Sequence, residues 1–191
     1  MDKLSDYIKV IDLLSESECD FILNCIDEKK YITEFRDAKV YDEKGNHTYH
    51  PVQRNNLQTF IQPGSELDNL IYAKVSEGYQ KWISLIDIKS CQKMYFNNLN
   101  DTGYQINKYE INQFYNYHVD NAPNLNNQNR VLSIVIYIND DYEGGELEFP
   151  FYTYKPSKGQ GIFFPSDWIY PHRSCPISNG IKYSIVTWLY E

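Results

Sequence analysis

Alanine is almost missing from this chain. Its 191 residues hold 3 alanines, against 20 isoleucines, 18 asparagines and 14 lysines. The best helix former is scarce and strand formers are plentiful, so the balance leans towards β. Cysteine is sparse too: four residues (Cys19, Cys25, Cys91, Cys175), scattered and without a CxxC pair. That argues against a disulfide framework and for reduced, mostly buried thiols. Cys19 and Cys25, six apart on a helical stretch, are expected on different faces. No apolar run approaches a membrane span, and the opening MDKLSDYIKVID lacks the apolar core of a signal peptide. The expectation is a soluble, cytoplasmic protein with no membrane partner. Positive charge is short as well. Eighteen Lys and Arg face 26 Asp and Glu, for a net charge of −8. A nucleic-acid partner would need a basic stripe, so none is expected. What the chain does have is aromatics, at 16%, with 18 tyrosines, far too many for a disordered polymer. Its length suits one domain spanning residues 1–191.

The N-terminal part reads as helical support. Tyr7–Leu13 is a short strand candidate. Ser15-Glu16-Ser17-Glu18 then fits a capping box, and Phe21, Ile22, Cys25 and Ile26 follow at helical spacing. A helix over about 16–29 is expected. Residues 31–63 are polar and mixed, and hold Arg36, His47, His50 and Arg54; strands and a long loop around Asp42–Asn46 are expected there. Ser65 or Asp68 starts a second helix, with an apolar stripe from Leu67 to Ile86. From residue 103 short apolar runs alternate with turn residues, as in a sandwich or barrel. The runs are Tyr104–Ile111, Phe114–His118, Arg130–Ile138, Glu146–Phe149, Gly161–Phe164, Trp168–Cys175 and Ile181–Tyr190. Helices first and about eight strands after predict a β-sandwich covered on one face by the N-terminal helices.

Chemistry concentrates in three residues. His118-Val119-Asp120 can turn a histidine and a carboxylate onto one metal at a strand end, and His172 lies 52 residues later. Two histidines and one carboxylate form the facial triad of non-haem Fe(II) oxygenases. Alternation places Lys182, Ser184, Val186 and Trp188 on one face of the last strand, and Ser133, Val135 and Tyr137 on one face of the strand starting at Arg130. Tyr183, Ile185, Thr187 and Leu189 take the other face of the last strand, and the continuously apolar face of Leu132, Ile134, Ile136 and Ile138 suits helix packing. The mixed faces suit a polar pocket, where a buried lysine needs an anion. His47-x-x-His50 has no third ligand nearby and reads as an exposed loop.

The order of these residues resembles the prolyl 4-hydroxylase branch of the Fe(II)/2-oxoglutarate dioxygenases. The matching segments are QINKYEINQFYNYHVDN (105–121), RVLSIVIYINDD (130–141), EGGELEF (143–149), KGQGIFFPS (158–166) and PHRSCPISNGIKYS (171–184), with IDLLSESECDFI (11–22) near the N-terminus. The resemblance implies an α+β, mainly β fold. This is a double-stranded β-helix (a jelly roll, cupin-like) over 103–190, with N-terminal helices on the major sheet and residues 1–100 as support and substrate rim. It implies that His118, Asp120 and His172 bind Fe(II), and that Lys182 pairs with the distal carboxylate of 2-oxoglutarate. Tyr109, Tyr137 and Ser184 would help hold that cosubstrate, and Arg130, Trp188 and Tyr115 would lie near the substrate. The cofactors implied are Fe(II), 2-oxoglutarate and O2, with ascorbate as reductant. The implied activity is hydroxylation of prolyl residues in a peptide or protein, with 2-oxoglutarate leaving as succinate and CO2. Two departures stand out: Lys182 where many members carry Arg, and Arg173 after His172 where a Glu or apolar residue is commoner.

One check on distance follows. In a plain hairpin turning at Asn179-Gly180, Lys182 would lie ~16 Å from the level of His172. The resemblance therefore requires the two strands to sit in opposite sheets. Two other readings stand beside it: an oxygenase of a free amino acid or other small molecule, and a non-catalytic β-sandwich binding module. Specificity is expected in residues 31–63 and in the polar segment 121–129, a candidate lid. The sequence leaves the oligomeric state open.

Overall fold

A computed structural model describes residues 3–41, 46–86, 99–121 and 129–190. Residues 42–45 of the expected loop, Cys91 and residues 122–128 of the candidate lid lie outside the described residues. After a 3-10 turn (Leu4–Tyr7), β1 (Lys9–Asp12) leads into α1 (Glu16–Asp27). Next come β2 (Arg36–Asp37), β3 (Val40–Tyr41), β4 (His47–Thr48), β5 (Leu57–Phe60) and α2 (Glu66–Leu85). The C-terminal half holds β6 (Asn100–Asp101), β7 (Gln105–Tyr109), β8 (Tyr115–His118), β9 (Arg130–Tyr137), β10 (Glu143–Gly144) and β11 (Leu147–Phe149). It continues with β12 (Tyr152–Tyr154), β13 (Gln160–Pro165), β14 (His172–Ser174), β15 (Ile177–Asn179) and β16 (Lys182–Tyr190).

Both helices start where the sequence caps them. Ser15 Oγ accepts from the Glu18 amide at 3.3 Å, and the Glu18 carboxylate accepts from the Ser15 amide at 2.8 Å. Ser65 Oγ accepts from the Asp68 amide at 3.1 Å, which settles the start of α2. The buried stripe of α2 is Leu67, Ile71, Val75, Gly78 and Trp82. Gly78 is required by closeness: a Cβ there would stand 2.5 Å from the ring tip of Phe163 on β13 and 2.7 Å from Leu13. Cys19 and Cys25, six residues apart, stand about 120° apart around α1. Both are buried in the core between helix and sheet, because the helix sinks a stripe wide enough to take both positions.

The major sheet runs β1-β13-β9-β16-β7-β5-β2, with β6 paired to the far end of β16. The smaller sheet runs β12-β11-β14-β8. All the mapped pairs are antiparallel. The helices cover the outer face of the major sheet. Ile134, Ile136, Ile185 and Leu189 meet Ile22, Leu67, Ile71 and Trp82 in one core. Val135, Tyr137 and Val186 point the other way, into a second core with Leu147, Phe149 and Phe164. This is the double-stranded β-helix with its helical cover. The expected alternation of β9 and β16 holds at each of these positions, and β14 and β16 lie in opposite sheets.

Three expectations need correction. The run Trp168–Cys175 is a strand only over His172–Ser174; Trp168 sits in a turn and is 75% exposed. Pro171 has no N–H to give a ladder, so pairing begins at His172. Four strands, β6, β10, β12 and β15, fall outside the expected runs. His47 and His50 are both exposed as expected, but His47 belongs to a strand, β4, paired across from Tyr41, and stands at the edge of the central cavity.

Candidate active site

Between the sheets lies a cavity of about 310 Å³. His118 ends β8 and His172 begins β14, and the two are direct cross-strand partners. Asp120 lies just beyond β8, where the chain turns back. Its carboxylate oxygens stand 3.4 Å from His118 Nε2 and 3.5 Å from His172 Nε2. One donor atom from each residue lies within 4.8 Å of the others, the span of a single-ion site. The backbone holds both rings in register. His118 Nδ1 is 2.8 Å from the Asn116 carbonyl and His172 Nδ1 is 3.1 Å from the Tyr170 carbonyl. A carbonyl only accepts, so each Nδ1 carries a hydrogen, and Nε2 is the ring nitrogen that each histidine turns towards Asp120. Burial pushes His172 down to about 4, so it is neutral at pH 7. Burial alone would raise the Asp120 carboxyl, but the His172 charge, His118 and Ser133 hold it well below the usual range. Ser133 donates to Asp120 Oδ2 at 2.7 Å and shares a 2.8 Å contact with Ser166. Asp120 and His172 are thus poised as an anion and a neutral imidazole, and all three side chains are held in place by hydrogen bonds.

Lys182 enters from the major sheet, opposite this cluster, and is 2% exposed. Its Nζ donates to the Gly145 carbonyl at 2.7 Å and to Ser174 Oγ at 2.9 Å. The rings of Tyr109 and Tyr137 stand 5.0 and 5.3 Å from it. Gly145 makes room: at φ 67 its Cβ would meet Lys182 Cδ at 3.1 Å and Ile177 at 2.5 Å. Among the described residues no carboxylate pairs with this buried ammonium, and desolvation lowers it to about 7. The Tyr137 hydroxyl is buried without a hydrogen-bond partner. Ser184, two residues beyond Lys182, lines the same wall. Burial raises the Tyr109 phenol, countered by the Arg54 charge and a hydrogen bond with Ser174.

The remaining candidates also reach the cavity. Tyr115 stacks on His118 at 3.5 Å between ring centroids, 11° from parallel. Arg130 lies over the Trp188 ring at 3.7 Å and donates to the Asp120 carbonyl at 3.3 Å. The Trp188 indole N–H is buried without a partner. The structure therefore gathers around one cavity every residue singled out for a site role.

Comparison with known proteins places this arrangement. Residues 104–190 match the family model described as the 2OG-Fe(II) oxygenase superfamily. A relative from Arabidopsis thaliana, named "Probable prolyl 4-hydroxylase 9", is 32% identical over 116 residues, covering 45% of this chain and 40% of its own. The matched region spans about two fifths of the length of the first curated relatives. The viral collagen prolyl hydroxylase of Paramecium bursaria Chlorella virus-1, solved with 2OG, superimposes with TM-score 0.71 at 24% identity, covering 96% of each chain. A prolyl hydroxylase from Trichoplax adhaerens, solved with a hypoxia inducible factor peptide fragment, gives TM-score 0.68 at 17% identity, covering 97% of this chain and 84% of its own. These likenesses establish the fold.

The cavity and its backing also contain residues that the sequence did not single out for a site. Arg54 is 6% exposed. It donates to Asn56 Oδ1 at 2.7 Å, to Asn107 Oδ1 at 2.8 Å and to the Lys39 carbonyl at 3.4 Å, and lies 4.6 Å from the Tyr115 ring. It reaches the site because β5, which follows it, pairs with β7. Ser133 and Ser174 were likewise not assigned. Ser133 had a sequence signal, since it shares a strand face with Tyr137; Arg54 had none within its polar segment.

Proposed function

We propose that this protein is an Fe(II)- and 2-oxoglutarate-dependent dioxygenase that hydroxylates prolyl residues in a peptide or protein. The observation that carries the reading is the pairing of two half-sites across the cavity. A His118–Asp120–His172 donor set faces a buried Lys182 that lacks an anion. The match of residues 104–190 to the 2OG-Fe(II) oxygenase superfamily model supports it. The donor set fits Fe(II) by its chemistry: two imidazole nitrogens and one carboxylate, with remaining positions open to a chelating cosubstrate and O2. The orphaned Tyr137 hydroxyl and the unpaired Lys182 fit a dicarboxylate.

Bound iron with 2-oxoglutarate and O2 supplies the oxidation: 2-oxoglutarate leaves as succinate and CO2, and one oxygen atom enters a substrate C–H bond. The chain does the rest. His118, Asp120 and His172 hold the metal. Lys182 takes the distal carboxylate, with Tyr137, Ser184 and Tyr109 fixing its orientation. The apolar wall of Val135, Leu147 and Val186 excludes water. Arg130, Trp188 and Tyr115 stand at the substrate side. Residues 1–100 act as support for the β-helix within one domain. Ascorbate serves as a reductant for iron oxidised in uncoupled cycles. The free cysteines among the described residues (Cys19, Cys25, Cys175) suit a reducing, cytoplasmic setting, and no described helix is long and apolar enough to cross a membrane.

A peptide is favoured as substrate because the cavity opens past Phe60 and Val119, both exposed large apolar residues. The peptide complex of a solved relative supports the same choice. The test is mass spectrometry for the gain of one oxygen atom across proline-containing peptides, free amino acids and host lysate, with Fe(II) and 2-oxoglutarate added. Oxidised proline in a peptide, lost in His172→Ala, is expected. Succinate release that persists in His172→Ala would overturn the assignment.

A further inference from the structure

The whole chain is acidic, yet the cavity is the reverse. Lys39, Arg54, Arg130 and Lys182 line it, and Asp120 is the one acidic residue among the described residues that does. Fe(II) and 2-oxoglutarate bring equal and opposite charge, so their binding leaves the positive excess in place. Lys182 is assigned to the cosubstrate. Arg54 is not. Among the described residues its hydrogen bonds run to neutral acceptors, two amide oxygens and one backbone carbonyl. None of the ion pairs among the described residues includes Arg54 or Lys39. A guanidinium this buried is costly without an anion.

A second observation lies one strand over. Gln58 on β5 has a buried side-chain oxygen with no hydrogen-bond partner. Its register partner is Asn107, the residue Arg54 holds, and Asn107 pairs in turn with Ser184. Gln58 therefore sits two ladder steps, about 10 Å, from the cosubstrate wall. That is about three residues of extended chain. Beside it Phe60, 48% exposed, forms the open end of the cavity.

We infer that the substrate is an acidic polypeptide segment, which sets an Asp or Glu carboxylate against Arg54 and Lys39 and a backbone N–H against Gln58. The carboxylate satisfies the buried cation, and the peptide amide satisfies the orphaned acceptor. A neutral proline-rich chain would satisfy only the second. This inference rests on the prolyl hydroxylase reading and sharpens its substrate class. The net charge of −8 adds selectivity, since an acidic chain is repelled by the general surface and attracted only at the cavity.

The probes are two matched synthetic peptides with one central proline, flanked by Asp and Glu in one and by Asn and Gln in the other. Turnover with Fe(II) and 2-oxoglutarate is measured beside binding by calorimetry. The acidic peptide should show a KM and Kd lower by about tenfold. The gap should shrink as salt is raised. Arg54→Gln and Lys39→Gln should each narrow it, and Arg54→Lys should keep most of it. Lys39 is exposed, so its variant does not depend on core packing. Equal constants for the two peptides, or a gap unchanged in both charge-removing variants, would overturn the inference. A charge-dependent Kd without oxidation would uphold it while overturning the hydroxylase reading. Oxidation with equal constants would do the reverse.

Discussion

Lys182 shows how much one side chain can reveal about an absent partner. Desolvation lowers it from 10.5 to about 7 in the ligand-free protein. The groups that face it are Tyr109, Tyr137, Ser174 and the Gly145 carbonyl, none of them anionic at neutral pH. Between pH 7 and 10.5 the unfolded chain holds a proton that the folded chain has shed. The Lys182 contribution therefore makes ligand-free stability rise with pH across that window. A bound dicarboxylate reverses the preference and restores the proton. 2-Oxoglutarate binding should then take up a proton, and its Kd should weaken about tenfold per pH unit above 7. Calorimetry in buffers of different protonation enthalpy reads this directly; a Kd flat from neutral to mildly alkaline pH would refute it. Lys182→Met should abolish 2-oxoglutarate binding while raising the ligand-free Tm. At the metal cluster, Ser133→Ala removes the 2.7 Å donor that backs Asp120. Iron affinity should drop by about tenfold or more, and Ser133→Thr should restore it.

At the scale of elements, close approach decides more than propensity. A Gly78→Ala change in α2 gains about 1 kcal/mol of helix propensity. It also drives a methyl into the fully buried Phe163 ring, at a cost of about 1–3 kcal/mol. Gly78→Val loses the propensity gain and crowds further, so it should destabilise more than Gly78→Ala in a denaturant titration. The same scale explains what was legible in the sequence. Capping residues and periodicity located α1 and α2, and alternation assigned the faces of β9 and β16 correctly. The metal cluster was legible because His118 and Asp120 are two residues apart and His172 sits in a recognisable run. Strands β12 and β15 were not, because three residues carry too little alternation to separate from a turn. Arg54 was not, because its neighbours in sequence are polar. Its place in the cavity comes from the pairing of β5 with β7, a long-range contact with no local mark.

For the molecule as a whole, the site is a joint between two sheets of unequal support. The major sheet is thick, backed by both helices and threaded by β16, which pairs with β9 on one side and β7 on the other. The smaller sheet has four short strands. Ligands that bind only the folded chain stabilise it by mass action. Iron and 2-oxoglutarate at about a hundredfold over Kd should add about 2.7 kcal/mol, several degrees in Tm. A chelator should cancel the gain. An unchanged melting curve would mean that neither ligand binds.

The direct pairing of His118 with His172 has a further consequence, in the time domain. Both candidate ligand histidines hang on the thin sheet, and Lys182 on the thick one. Amide hydrogen exchange should be slowest at Ile185 and Thr187, in the middle of β16, and fastest at β8 and β14. 2-Oxoglutarate joins the two sheets, so its binding should slow exchange in β8 and β14 while leaving β16 unchanged. The cosubstrate would then act as a reversible rivet between sheets, and the exchange of the histidine strands would report its occupancy.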